Sequence, residues 1–309
     1  MSATIAAAAV VQLAGAVALA PLIPGAVRAV ERRLQGLRGP SPLQPYRELR
    51  RLWRRSGVAP VPRTAVYAVA PPLAAAATLA AALLVPVGAV APDWGLGGDA
   101  LLLVGLLALG RAALALAAWD TGSGFALMGA ARDLAFAPYL EALLLAVVAI
   151  AAVGAGTTDL GEIAAATAER PLLSAPEQWL AALAFALVAV AESGRRPYDN
   201  PDTHLELTMI HEGPLLEYAG RELALLQWTA AVRQWVAIVL GVALFAPVGG
   251  PWAGRVAALA GLVAVAVVAL AVSETAQAKM RLLRVPRWVG AGVAVCAVAV
   301  VLRAIGGAP

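Results

Sequence analysis

The sequence predicts an all-α polytopic membrane protein: a helix bundle of about eight transmembrane helices, forming one integral membrane domain over residues 1–309. Three observations predict it. Hydrophobic residues make up 61% of the chain and charged residues only 14%, whereas soluble domains are about a quarter charged. Apolar runs of about 20 residues, long enough to cross the hydrocarbon core, recur along the whole chain. The alternating pattern of membrane-barrel strands is absent, so each run is predicted to be a helix.

The predicted spans follow one another with no soluble domain between them. Their cores are Thr4–Val27, Ala65–Val90, Ala100–Trp119, Leu134–Val153, Trp179–Ala191, Leu223–Ala246, Ala253–Val272 and Trp288–Ile305. The fifth is the shortest. The first is interpreted as a span rather than a signal peptide, because the first arginine, Arg28, follows the apolar run instead of preceding it.

The distribution of basic residues predicts the orientation. Most of the 23 lysines and arginines follow predicted spans one, three, five and seven, and the positive-inside rule places these loops in the cytoplasm. Both termini are then extracytoplasmic. The first cytoplasmic loop contains SPLQPYRELRRLWRRSGV, which predicts an amphipathic helix on the membrane surface, orienting the chain, docking a partner, or both. Its apolar side chains recur at helical spacing: Leu43, Tyr46, Leu49 and Trp53.

Several classes of function are excluded. The one cysteine, Cys296, lies in the last span, so the chain has no disulfide framework and cannot hold an iron–sulfur cluster by thiolates. The net charge of +4 comes from loops beside the membrane, so it does not indicate nucleic acid. No nucleotide-binding or hydrolase motif stands in a strand-to-helix setting. We therefore predict no catalytic residue, no metal site and no cofactor in this chain.

Three charged side chains fall well inside predicted spans, at least five residues from either end: Arg111, Glu141 and Arg233. A charge left in lipid costs about 2.5–3.5 kcal/mol on insertion scales, so each must face the bundle interior or pair with another group. The functional interpretation is a proton relay or an aqueous cavity, and the alternative is a structural ion pair. The default for intramembrane ionisable residues favours function. The sequence does not indicate which of them pair.

A polar segment separates the fifth and sixth spans. It contains SGRRPYDNPDTHLELTMIHE, with both histidines, His204 and His211. Polar chain at membrane depth is tolerated only where it lines a cavity or is covered by protein. The seven-residue spacing of the histidines is wider than zinc motifs use, so hydrogen bonding or proton relay is favoured over a metal site. The carboxylates of this region are Glu192, Asp199, Asp202, Glu206, Glu212, Glu217 and Glu222.

Three stretches carry a resemblance to a known family. They are Arg33–Leu52, with QGLRGPSPLQPYREL; Asp120–Glu141, DTGSGFALMGAARDLAFAPYLE; and AESGRRPYDNPDTHLELTMIHEGPLLEYAG, residues 191–220. They resemble the membrane subunit shared by respiratory complex I, as its subunit 1, and group 4 membrane-bound [NiFe] hydrogenases. The last stretch matches the family's Glu-x-x-Arg-x-Pro-x-Asp-x-Pro run followed by Glu-Tyr-x-Gly. With the spans, the resemblance covers nearly the whole chain.

Two features resemble the hydrogenase branch of that family, of the formate hydrogenlyase and hydrogenase-4 type. They are Asp-Thr-Gly-Ser at Asp120–Ser123 and the run Thr203–Glu212. The quinone-reducing branch usually has Glu-x-Glu-Leu-x-x-Gly at the second position. The chain departs from many relatives at Asp133, where they carry Glu.

The resemblance implies a non-catalytic subunit of an oxidoreductase complex in the bacterial plasma membrane. The implied partners are a [NiFe] large subunit and an Fe–S small subunit, which hold the [NiFe] and [4Fe-4S] centres, together with antiporter-like membrane subunits. Residues implied in proton relay or coupling are Glu141, Glu192, Asp199, Glu206, Glu212, Glu217, His204, His211 and Arg233. Residues implied at the interface or in structure are Arg132, Asp133, Arg195, Arg196 and Tyr218.

Three other interpretations stay open. The first is NADH:quinone oxidoreductase subunit 1, in which the same loops form part of a quinone chamber. The second is a stand-alone transporter, which predicts internal repeats and broken helices that the sequence does not show. The third is a purely structural anchor, in which the acidic residues pair with arginines of the polar segment such as Arg195 and Arg196.

Overall fold

The computed structural model describes residues 3–61, 63–92, 94, 98–170, 176–199 and 209–306. Within these ranges every regular element is a helix. The α-helices are α1 (Ala3–Ala14), α2 (Leu22–Leu34), α3 (Gln44–Trp53), α4 (Ala65–Leu84), α5 (Ala100–Thr121), α6 (Gly124–Ala155), α7 (Leu160–Ala168), α8 (Pro176–Glu192), α9 (Gly220–Phe245), α10 (Trp252–Ala276) and α11 (Val285–Gly306). A π-helical stretch, Gly15–Leu19, follows α1, and 3₁₀ turns cover Gly213–Leu215 and Leu282–Arg284.

The all-helical fold is confirmed, and all the predicted span cores overlap helices. Among the described residues, six helical segments are long and apolar enough to cross a membrane: α4, α5, α6, α9, α10 and Leu282–Ile305. The number of candidate spans is seven if Ala3–Leu19 and Leu22–Leu34, which are bent by 56° at their junction, form one span. The remaining predicted span corresponds to α8, which has 17 residues. The count of eight and the orientation of the termini stay predictions.

Several boundaries differ from the prediction. The first span is bent rather than straight. The second predicted span, α4, ends at Leu84 and not at Val90, because Pro86 favours extended backbone at Val85. The fourth predicted span, α6, begins at Gly124, earlier than the predicted Leu134. It continues through charged residues that interrupt the apolar run. Helix α7 was not predicted, because its nine residues are too short for a span.

Helix α9 lies at the centre of the bundle and packs against α2, α3, α4, α8 and α10. Its side chains Trp235, Leu240 and Leu244 are buried in the main apolar core, whereas α10 and α11 leave most of their surface exposed. A Cβ atom at Gly241 would lie 2.6 Å from the Phe185 ring, so this glycine allows α8 to approach α9 closely.

The polar segment is positioned by two glycines with positive φ. Gly194 (φ 60°) turns the chain after α8, and Gly220 (φ 58°) begins α9. Between them, Gly213 packs so closely on Gly129 of α6 that an added Cβ on either would lie 2.7 Å from the other Cα atom. The described parts of the segment, residues 193–199 and 209–219, are therefore held against the bundle. The predicted helix of the first loop is present as α3, and Leu43 just before it and Trp53 at its end are about half exposed. Its position on the membrane surface stays a prediction.

Candidate functional site

A buried group of charges occupies the space between α5, α6, α8 and α9. Arg111 of α5 is 2% exposed and contacts three carboxylates: Glu192 at 2.8 Å, Glu141 at 2.9 Å and Asp133 at 3.6 Å. Arg233 of α9 contacts the other oxygen of Glu192 at 2.6 Å. We call these five residues the Arg111 cluster.

The charges of the Arg111 cluster are paired mainly with one another. Buried ions are tolerated when they are paired and hydrogen-bonded, and removing one partner of a buried pair is strongly destabilising. Two guanidinium groups face three carboxylates here, so one carboxylate is in excess when all are ionised. A proton can join that excess carboxylate without leaving an arginine unpaired. Glu141 has the most exposed side chain of the three, at 28%.

A second charged group lies next to the polar segment and is centred on Asp199. Its carboxylate accepts hydrogen bonds from Lys279 Nζ at 2.9 Å and from the backbone N–H groups of Ile210 and His211 at 3.2 and 3.1 Å. His211 Nδ1 lies 3.6 Å from Asp199 Oδ2, beyond hydrogen-bond distance. We call Asp199, His211 and Lys279 the Asp199 group.

Opposite charges set the ionisation of the Asp199 group. Burial alone would raise the pKa of Asp199, but His211 and Lys279 outweigh burial and hold that pKa well below its usual range. Burial alone would lower the pKa of His211, but Asp199 and Asp133 outweigh it and raise that pKa above its usual value. The carboxylate is therefore ionised near neutral pH, and His211 is closer to its charged form than a free histidine.

Two arginines tie the start of the polar segment to neighbouring helices. Arg195 lies 3.5 Å from Glu274 at the end of α10, and Arg196 pairs with Glu31 of α2. Between these arginines and the Asp199 group, the Pro197 carbonyl accepts a hydrogen bond from Met280 N at 2.9 Å. These contacts fix residues 195–199 against the bundle.

The far end of the segment is held by a pair of tyrosines. The rings of Tyr67 and Tyr218 stack with centroids 4.3 Å apart and an angle of 11° between them. Tyr67 donates to the Glu217 carbonyl and Tyr218 donates to the Tyr67 carbonyl, each at 2.9 Å. On α6, Arg132 donates to the Met209 carbonyl at 3.1 Å. These residues hold the segment in place.

The structure brings together some of the sequence-predicted residues. Glu141, Glu192, Arg233 and Asp133 meet in the Arg111 cluster, and Asp199 meets His211. Glu217 and Tyr218 lie at the tyrosine stack, and Glu212 precedes the 3₁₀ turn, where its carbonyl accepts from Leu215 N. Arg132, Arg195 and Arg196 hold the segment to α6, α10 and α2. His204 and Glu206 lie outside the described residues.

Four charged residues that the structure pairs with predicted ones are absent from the predicted coupling and interface residues: Arg111, Lys279, Glu274 and Glu31. Arg111 could have been included from the sequence, because a charge inside a predicted span already marks it as a site candidate. Lys279 and the two glutamates lie at helix ends or in loops, where charge is ordinary, so only their partners distinguish them. No group of three or more His, Cys, Asp or Glu side chains within the described part of the chain is arranged to hold a metal ion.

Comparison with known proteins identifies relatives along nearly the whole chain. A family model described as NADH dehydrogenase matches residues 6–304. Formate hydrogenlyase subunit 4 of Escherichia coli (strain K12) is 33% identical over 297 residues, which cover 93% of this chain and 95% of the relative. Hydrogenase-4 component C of the same strain is 35% identical over 234 residues, which cover 75% of this chain and 72% of the relative. An NADH-quinone oxidoreductase subunit of Cereibacter sphaeroides is 32% identical over 197 residues, which cover 62% of this chain and 58% of the relative.

The fold also resembles a solved structure. A chain of the membrane-bound sulfane sulfur reductase, an archaeal respiratory membrane complex, superposes with a TM-score of 0.81, covering 96% of this chain and 99% of that one. At 19% identity the likeness concerns the fold alone. The relatives are membrane subunits of hydrogenase and complex I-like assemblies, and this chain has the same membrane-subunit architecture.

Proposed function

Since the chain belongs to the NADH dehydrogenase subunit 1 family, we propose that it is the membrane-anchor and proton-coupling subunit of a complex I-like membrane-bound [NiFe] hydrogenase. The hydrogenase branch is favoured because the formate hydrogenlyase and hydrogenase-4 relatives align over more of their length than the NADH-quinone oxidoreductase relative does. The chain itself carries out no redox chemistry in this proposal.

The observation that carries the coupling role is the Arg111 cluster. Five ionisable side chains from four helices meet in the bundle interior, with one carboxylate in excess over the arginines. Intramembrane ionisable groups are costly and mark proton relays and ion pathways in membrane proteins. The charge of Asp133 in the cluster raises the pKa of His211 in the Asp199 group, so the two groups are close enough to influence each other's charge. In the proposed role, a redox event in the partner arm shifts a proton along these carboxylates.

The proposed partners bind on the face formed by the polar segment and the basic first loop. They are a [NiFe] large subunit and an Fe–S small subunit, which hold the [NiFe] and [4Fe-4S] centres, and antiporter-like membrane subunits. In this proposal the chain forms one domain over residues 1–309 in the bacterial plasma membrane, with about eight spans and both termini extracytoplasmic. The single cysteine, Cys296, is buried in α11, so thiolate-bound clusters belong to the partners.

The second candidate is NADH:quinone oxidoreductase subunit 1, and the alignment with the Cereibacter sphaeroides relative favours it. In that role the same loops form part of a quinone chamber. Inhibition of the complex by quinone-site ligands supports this candidate and disfavours the hydrogenase assignment.

The identity of the complex is tested by affinity purification. The chain is tagged, extracted in mild detergent, and its companions are identified by mass spectrometry. We expect a [NiFe] large subunit and an Fe–S small subunit, without flavin-binding NADH dehydrogenase subunits. Recovery of NADH dehydrogenase subunits instead supports the quinone candidate, and recovery of the chain alone contradicts both.

The coupling role is tested separately in the assembled complex. Glu141→Gln removes one carboxylate charge while Arg111 keeps Glu192 as a partner. We expect proton movement per turnover in proteoliposomes to fall several-fold, with the subunit composition unchanged. The matched control is Glu162→Gln on α7, an exposed carboxylate outside both charged groups, which leaves proton movement unchanged. Equal coupling in wild type and Glu141→Gln overturns the role of this carboxylate.

A further inference from the structure

Tyr198 is a buried tyrosine that belongs to neither the Arg111 cluster nor the Asp199 group. It follows the cis peptide bond Arg196–Pro197 by one residue, and its side chain is 0% exposed. Its ring packs edge-on against Phe136 and His211, with centroids 6.3 and 5.7 Å away, and at a tilt against Trp288. Its hydroxyl oxygen has no hydrogen-bond partner among the residues that the structure describes. A buried tyrosine hydroxyl ordinarily has such a partner.

Three other buried polar atoms of the same neighbourhood share this property. They are His211 Nδ1, Asp133 Oδ1 and Arg111 Nε. The nearest charged partners of His211 Nδ1 and Arg111 Nε both lie at 3.6 Å, which is too far for a direct hydrogen bond. A polar contact beyond about 3.5 Å is commonly bridged by water.

The position of Tyr198 connects the two charged sites. Its ring contacts His211 of the Asp199 group, and among the carboxylates Asp133 of the Arg111 cluster has the largest effect on the pKa of its hydroxyl. Charged groups that act on Tyr198 or His211 from the surrounding elements are Arg111, Asp133, Glu192, Asp199 and Arg233. Lys279 also faces this region through Asp199.

From this geometry we propose that the Tyr198 hydroxyl and buried water between it, His211 and Asp133 form the proton path that joins the Asp199 group to the Arg111 cluster. A buried water typically makes about three hydrogen bonds to otherwise unsatisfied polar groups, and this site offers several such atoms. The inference rests on the proposed coupling function and names the residue through which the two sites communicate.

The transfer balances without any redox partner. Protonated His211 releases the proton on Nδ1 to one water, and the Tyr198 hydroxyl accepts a proton from that water. The hydroxyl donates its own proton to a second water, which passes a proton to Asp133 Oδ1. Afterwards the imidazole is neutral, Asp133 is a carboxylic acid, and tyrosine and water are unchanged. Burial, reinforced by Asp133, raises the pKa of Tyr198, so its hydroxyl remains protonated and able to donate.

The test is Tyr198→Phe in the assembled complex, because this substitution removes the hydroxyl and keeps the packed ring. We expect proton movement per turnover in proteoliposomes to fall several-fold, with subunit composition unchanged. Tyr139→Phe is the matched control, since Tyr139 is 52% exposed on α6, and it leaves proton movement unchanged. Wild-type coupling in Tyr198→Phe overturns the proposal.

A double variant separates a shared path from a structural effect. If Tyr198 and Asp133 act in one path, Tyr198→Phe combined with Asp133→Asn lowers proton movement no further than the more severe single variant, because residues that act together are non-additive. Independent, multiplied losses overturn the shared path. If Glu141→Gln impairs coupling and Tyr198→Phe does not, this inference fails while the proposed function stands. A wild-type complex that moves no protons overturns the proposed function and the path with it.

A second measurement applies even if the variant does not assemble. A cryo-electron microscopy map of the wild-type complex that resolves ordered water is expected to show water within hydrogen-bond distance of Tyr198 Oη and of His211 Nδ1 or Asp133 Oδ1. A direct bond from Tyr198 Oη to a protein group, with no such water, overturns the proposal.

Discussion

Glu192 at the end of α8 receives a guanidinium group on each carboxylate oxygen, Arg111 at 2.8 Å and Arg233 at 2.6 Å. Its side chain is 6% exposed, so water does little to screen either contact. Arg111 keeps two other carboxylates if Glu192 is removed, whereas no other ion pair of Arg233 occurs among the described residues. At the scale of single residues, Glu192 therefore holds α5, α8 and α9 together.

Glu192→Gln is expected to destabilise the protein by about 3–5 kcal/mol, the cost of breaking a buried ion pair by removing one partner. Thermal unfolding of the purified complex in detergent measures it. The control, Glu48→Gln, removes a partly exposed carboxylate beside Arg51 and should cost about 0–1 kcal/mol. Equal midpoints for the two variants would contradict a structural role for the buried charge.

The pair His211–Asp199 makes stability depend on pH. The raised pKa of His211 means that its contribution is complete below about 6.5, the unfolded value, and is lost as pH rises through the folded pKa. The lowered pKa of Asp199 means that its contribution is present above about 3.9 and is lost only in stronger acid. The two contributions coincide in mildly acidic solution.

The stabilising effect of His211 over asparagine is therefore expected to be largest near about pH 5.5 and smaller near about pH 8.5. The measurement is the difference in thermal midpoint between wild type and His211→Asn, recorded at both pH values in the same detergent. A difference that stays constant or grows with pH would show that the pairing of charged His211 with Asp199 does not contribute to stability.

At the scale of elements, the polar segment is attached to α6 through a glycine pair. A Cβ atom on Gly129 would lie 2.7 Å from the Gly213 Cα atom and 2.9 Å from Pro214 Cδ. The first of these neighbours is backbone, so it cannot move aside as a flexible side chain would. The approach of the segment to α6 therefore depends on the absence of a side chain at this position.

Gly129→Ala is expected to lower stability by about 1–3 kcal/mol through overpacking. Gly105→Ala is the matched control: it lies inside α5, with nothing within 4 Å of the added Cβ, and should stabilise by about 0.5–1 kcal/mol through helix propensity. The measurement is the thermal unfolding midpoint of each variant, compared with that of wild type. A stabilising Gly129→Ala would mean that the segment packs on α6 less closely than these distances indicate.

At the scale of the whole molecule, α9 separates two ends of the bundle. Ser56 lies near the start of α9, because Gly57 approaches the Ala219 carbonyl and Glu222. Glu169 lies near its end, because Thr167, two residues earlier in α7, donates to the Leu244 carbonyl at 3.2 Å. The 26 residues of α9 span about 39 Å, enough to cross a bilayer.

The predicted topology therefore places Ser56→Cys in the cytoplasm and Glu169→Cys outside. In intact cells, a membrane-impermeant thiol reagent is expected to label the Glu169→Cys variant and to leave Ser56→Cys unlabelled until the membrane is opened. Native Cys296 is 5% exposed and contributes little background. Labelling of both positions from one side would contradict the predicted orientation.

The sequence by itself determined the helical membrane class, the approximate position of each span and the unusual character of the polar segment. Each of these depends on local information: the length of an apolar run, the side on which arginines accumulate, and the cost of charge in hydrocarbon. Helix α7 was missed because nine residues are too few for a span, and the bend after Leu19 was missed although Pro21 at the junction is a helix-breaking signal.

Only the tertiary structure decided which charges meet. Arg111 and Glu192 are 81 residues apart, Lys279 and Asp199 are 80 apart, and Arg196 and Glu31 are 165 apart. Hydropathy identifies Arg111 as a charge within a span but does not identify its partners, because these come from helices whose relative rotation is set by packing. The pairing of α8 with α9 at Gly241 and of the polar segment with α6 at Gly129 establishes that geometry, and with it the positions of the buried carboxylates.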